Sequence, residues 1–77
     1  MIMNRNLIGS VDKIRIIKQD PKMLVRFTLS VGEQRINCLC ANKQLIDTIL
    51  CLVDGSEVVL FGEFNKRNQL VVKRLIV

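Results

Sequence analysis

The sequence predicts an all-β fold, a small Greek-key barrel of five strands with one helix between strands 3 and 4. Three observations carry this. Val25, Phe27, Leu29 and Val31 alternate with Arg26, Thr28 and Ser30, the period of a strand with one buried face. Leu45, Ile46, Ile49, Leu50 and Val53 repeat instead at the spacing that gives a helix a single apolar stripe. Turn-forming residues at Asp20-Pro21, Gly32-Glu33, Asp54-Gly55 and Asn65 to Asn68 separate the apolar runs.

The first strand is expected over Leu7 to Ile17, apolar at Leu7, Ile8, Val11, Ile14, Ile16 and Ile17. Its polar residues Asp12, Lys13 and Arg15 give partial alternation, so one end should face water. Gly9 within it suggests a bulge or a sharp bend. Lys18 to Lys22 is a turn, with Pro21 fixing φ and Asp20 capping. The second strand runs from Met23 to Val31, and Gly32-Glu33 closes a short hairpin. The third, Arg35 to Ala41, should turn Ile36, Cys38 and Cys40 inwards and Arg35, Asn37 and Leu39 outwards.

The helix follows Asn42, and Gly55 after it suits a helix C-terminus that needs positive φ. Glu57 to Phe64 is a strand rich in β-branched and aromatic residues. It should place Phe64 with Leu60 and Gly62 on the core face, and Phe61 with Val59 and Glu63 on the other. Asn65 to Asn68 is a polar turn, and Leu70 to Val77 the last strand. Lys73 and Arg74 sit side by side in it, which a bulge or an edge position would accommodate. Five strands with the helix after the third is the order of the OB-fold. A ferredoxin-like order would need a helix between the first two strands, where there is only a turn.

With 77 residues the chain is expected to be one domain, residues 1–77. No apolar run approaches the ~20 residues of a membrane-spanning helix, and residues 1–6 lack the apolar stretch of a signal peptide. A cytoplasmic protein is expected. The net charge of +5 points towards polyanionic partners. The three cysteines, Cys38, Cys40 and Cys51, are too few for a soft four-ligand metal site in a chain without histidine. All three are expected to be reduced core thiols, and neither metal nor cofactor is expected. The carboxylates show no paired spacing and no Gly-rich phosphate loop occurs, so an enzyme is not expected.

Asn6-Leu7-Ile8-Gly9, Phe27-Thr28-Leu29-Ser30-Val31 and Asp54-Gly55-Ser56-Glu57-Val58-Val59-Leu60-Phe61-Gly62-Glu63-Phe64 together resemble the bacterial single-stranded DNA-binding proteins. The likeness spans nearly the whole chain in order, with shorter loops after the second and fourth strands, and without that family's acidic-tipped tail. It implies non-catalytic binding of single-stranded DNA during replication, repair or recombination. That family stacks bases on Trp, Tyr and Phe, whereas this sequence has no Trp or Tyr and only Phe27, Phe61 and Phe64.

The outer face of strands 2 and 3 is the usual oligonucleotide platform of an OB-fold. Here it would present Arg26, Thr28, Ser30, Arg35, Asn37 and Leu39, with Lys22 and the turn residues Lys66 and Arg67 flanking the groove. Cations track phosphates, and an Arg plane can stack on a base. RNA stays open, since nothing in the sequence reads a 2′-hydroxyl. Val59 and Phe61 are expected to form a contact between copies, with a dimer favoured. The alternative is an OB-fold module that binds a protein, resembling primosomal replication protein N, whose platform has lost base stacking.

Overall fold

Strand β1 (Asn4–Lys18) is 15 residues long and serves two neighbours. Its first half, from Asn4 to Ser10, pairs antiparallel with β4 (Glu57–Phe64), and its second half, from Ser10 to Lys18, with β2 (Leu24–Val31). The computed structural model describes residues 4–76, so the predicted end of the last strand at Val77 lies outside them. The remaining elements are β3 (Gln34–Cys40), α1 (Lys43–Leu50) and β5 (Leu70–Ile76). The sheet closes in the order β1-β2-β3-β5-β4, with β3 and β5 parallel through Cys38 opposite Leu70 and Leu39 opposite Val71. The predicted barrel, with its helix between β3 and β4, is therefore the observed one.

Alternation delivers the core. Val25, Phe27 and Leu29 from β2, Cys38 and Cys40 from β3, Val58 and Leu60 from β4 and Leu70 and Val72 from β5 are buried around Val11 of β1. Each large side chain buried in this way contributes about 1.5–3 kcal/mol. Asn42 caps α1 by accepting hydrogen bonds from the backbone N–H groups of Gln44 (3.0 Å) and Leu45 (3.2 Å). Ile46 and Ile49 then seal one end of the barrel.

The helix is shorter than the sequence suggests. The N–H groups of Cys51 and Leu52 donate to the carbonyls of Thr48 and Ile49, a tightening that ends the helix. Leu52 turns in, whereas Val53 is 73% exposed and lies off the stripe. Gly55 is not a helix cap. It occupies the turn closed by Ser56 N–H on the Val53 carbonyl, with φ +90°, and its own N–H donates to the Val11 carbonyl. The Asp-Gly turn is thus pinned to β1.

Gly9 does not make a bulge. It lies where β1 crosses β2 so closely that a β-carbon would collide with the Ser30 carbonyl. The irregularities in β1 come later: Asp12 faces Thr28 and the next pair is Arg15 with Arg26, leaving one extra residue in β1, and a second falls between Ile16, opposite Val25, and Lys18, opposite Leu24. Lys13 takes φ +54° at the first, its N–H bonded to the Asp12 carboxylate at 2.8 Å. In β5 the expected irregularity is present. Phe61 faces Arg74 and Gly62 faces Val72, so Lys73 is the inserted residue and both basic side chains reach solvent. Cys51 is exposed at the end of α1, which corrects its placement in the core. Among the described residues no helix is long and apolar enough to cross a membrane.

Candidate nucleic-acid interface

The registers of β1, β2 and β3 set the outward residues in three rows. Ser10, Ser30 and Arg35 form one, Asp12, Thr28 and Asn37 the second, and Arg15, Arg26 and Leu39 the third. Through the β3–β5 pairing Val71 extends the third row. Arg26 and Ser30 are four residues apart along β2, so the outer rows lie about 13 Å apart at ~3.3 Å per residue. Cations thus mark both ends of a face whose middle is polar.

The structure brings Arg26, Thr28, Arg35, Asn37 and Leu39 together on this face, as alternation implied. Ser10, Asp12 and Arg15 join them from β1, and sequence reasoning missed all three. Strict alternation from Val11 would have turned Arg15 inwards, and the inserted residue at Lys13 returns it to the outer face. A lysine falling at an inward position of an apolar strand was the available signal.

Lys66 and Arg67 sit in the β4–β5 turn, which Asn65 stitches together. Its side-chain oxygen accepts from the N–H groups of Arg67 and Gln69, each at 2.9 Å, and its amide donates to the Gln69 side chain at 3.0 Å. The turn stands beside β3, and its Asn68 shares a cleft with Arg35 and Asn37. Lys22 lies at the other end of the barrel. It lines a separate hollow with Pro21, Met23, Lys43, Ile46 and Asp47, beside α1.

The aromatics are placed elsewhere. Phe27 is 1% exposed and cannot stack on a ligand. Phe64, expected in the core, packs against it but is only partly buried. Phe61 is on the outer face of β4, between Asn6 of β1 and Arg74 of β5. One pair along, Val59 lies between Ile8 and Ile76, which are 62% and 66% exposed. The two residues expected at a subunit contact therefore share a face, and two isoleucines enlarge its apolar area.

Burial pushes the Cys38 thiol up to about 12 and raises that of Cys40. Both are thiols at neutral pH, poor nucleophiles and poor ligands. Among the described residues no group of three or more His, Cys, Asp or Glu side chains gathers to hold a metal ion.

No protein-family model matches the sequence, and no curated protein matches it. The structure does find a neighbour. The chain is similar to the crystal structure of the SSB domain of a Synechococcus sp. protein, with a TM-score of 0.74 and 17% identity. The match covers 96% of this chain and 93% of that one. At this identity the likeness shows the fold alone, an OB-fold barrel.

Proposed function

We propose that the protein binds single-stranded DNA without catalysis, through the outer face of β1, β2 and β3, as a single-domain cytoplasmic OB-fold protein acting in DNA replication, repair or recombination. One observation carries the reading: Arg15, Arg26 and Arg35 stand at the two ends of one polar sheet face, with Lys66 and Arg67 on the turn beside it. A flexible polyanion laid along β2 meets a cation at each end and hydrogen-bonding side chains between. Capture is then mainly electrostatic, with weak dependence on sequence along the face. The SSB-domain fold of the neighbour supports the same reading.

The contact face of Val59, Phe61, Ile8 and Ile76 supports a homodimer, which would give one strand two platforms and raise avidity. The protein-binding alternative draws on a specific feature. No aromatic side chain lies on the outer face of β2 and β3, so base stacking is lacking there. Titrating a labelled oligo-dT at several salt concentrations separates the two. Binding whose log K falls linearly with log salt supports the first reading, and no binding at low salt removes it.

A further inference from the structure

Helix α1 closes one end of the barrel, and among the described residues no element closes the other. There Leu7, Ile36 and Phe64 form the last inward apolar layer of the described side chains. Their cross-strand partners Leu60, Leu29 and Leu70 are fully buried, while the three themselves remain partly exposed. They floor a cleft of about 560 Å³. Its rim is Gln34, Arg35 and Asn37 of β3 on one side and Asn68 of the β4–β5 turn on the other.

The cleft exists because β5 joins β3 late. The parallel pairing involves Cys38 and Leu39, so the stretch from Gln34 to Asn37 pairs with β2 on one edge only. The Asn65-stitched turn then bridges the gap without filling it. An apolar floor under a few converging polar groups is the usual make-up of a small-ligand site.

We infer that this cleft takes one purine base of the bound strand, stacked against Phe64. The inference rests on the proposed single-strand binding. Three features select this occupant. Arg35 and Asn37 belong both to the rim and to the outer face, so a strand running along β2 towards Arg35 reaches the cleft next. The floor offers the one partly exposed aromatic ring adjoining that path. The rim supplies Arg for the O6 and N7 of guanine and Asn or Gln for the N6 and N7 of adenine. The missing stacking platform is thereby replaced by a single stacking site at the barrel mouth. One stacked base is worth roughly 5- to 150-fold in affinity.

The test is methyl and aromatic NMR of the full chain, titrated with oligo-dA and oligo-dT at low salt. The expected result is shifts at the Leu7 and Ile36 methyls and the Phe64 ring, larger with oligo-dA, alongside shifts at Thr28 and Leu39. Phe64→Leu keeps the floor apolar and should weaken oligo-dA binding at least ~5-fold while leaving the salt slope unchanged, since no phosphate contact is lost. Asn68→Gly, which fits the local φ of +61°, should reduce the preference for oligo-dA and disturb packing least. Shifts confined to Thr28 and Leu39, with the cleft silent, overturn the inference and leave the platform standing. No shift anywhere with either oligonucleotide removes the platform reading itself.

Discussion

Arg15 and Arg26 face one another across β1 and β2 on the outer surface of the barrel. Like charges directly opposite in a sheet are unfavourable by roughly 0.2–1 kcal/mol, so this pair costs stability in the free protein. An approaching phosphate reverses the sign. Arg26→Gln should therefore raise stability by a few tenths of a kcal/mol while weakening oligo-dT binding and lowering the salt slope by about 0.7. Urea unfolding and salt titration of the same variant check both halves. A loss of stability with the slope unchanged would show that the pair is not part of a phosphate path.

Asp12 is the acidic member of the same face, in the row of Thr28 and Asn37. Its carboxylate holds the bulge by accepting from the Lys13 N–H. Asp12→Asn keeps an oxygen for that bond and removes a charge that repels phosphate. Binding to oligo-dT at low salt should tighten by roughly 0.5 kcal/mol, an effect that vanishes as the Debye length shortens. Weaker binding would mean that the carboxylate itself makes a contact with the strand.

The strand order and the outward set on β2 and β3 were legible because period two leaves no choice where one face is buried. Slipping β2 by one residue would bury Arg26 and expose Phe27. The adjacent Lys73 and Arg74 likewise pointed to a bulge or an edge position, and β5 has the bulge. Three features escaped the local patterns, the first despite the hint of an inward lysine, because each is set by contacts distant in sequence. The bulge at Lys13 is fixed by pairing with β2, and it alone brings Arg15 onto the platform. Gly55 reads as a helix cap until its N–H is seen on the Val11 carbonyl. The cleft between β3 and the β4–β5 turn depends on where β5 meets β3, which no local pattern encodes.

The buried thiols give a pH signature. Unfolded, the Cys38 thiol ionises near its ordinary value of 9.0, and folded it does so only at about 12. The folded state thus holds the proton more tightly, and its stabilising effect is complete below pH 9 and lost progressively as pH rises towards 12. Stability should fall above pH 9, more steeply in the native chain than in a Cys38→Ala, Cys40→Ala variant. At pH 7 that variant should be less stable by roughly 1–3 kcal/mol through lost packing. Cys51→Ser, at an exposed site, should be neutral. Denaturant titrations at pH 7.5 and 10.5 check all three outcomes.

The row of Ile8, Val59 and Ile76 bears on assembly. If it is the contact between copies, Val59→Glu should give a monomer without unfolding the barrel, because Val59 points away from the core formed by Val58 and Leu60. Sedimentation at tens of micromolar reads this directly. A native chain that is already monomeric there would end the dimer reading, and an undiminished dimer in Val59→Glu would move the contact elsewhere.

Leu39 offers the most direct test of the platform. It is half-buried on the outer face of β3, opposite Arg26 of β2 and Val71 of β5. A flat ring there would lie between the arginine proposed to hold a phosphate and an aliphatic neighbour that supports the ring. Leu39→Trp therefore installs the stacking surface that β2 and β3 lack. It should tighten oligo-dT binding by about 1 kcal/mol or more. Because the chain has no other tryptophan, fluorescence reports on this position alone. Quenching that saturates with the same midpoint as the anisotropy places the strand on the outer face. Arg35→Gln with Arg67→Gln should, in the same assay, lower the salt slope by about 1.4. Suppose instead that the tryptophan stays unquenched and the slope is unmoved. DNA then does not lie on this face, and the protein-binding reading takes its place.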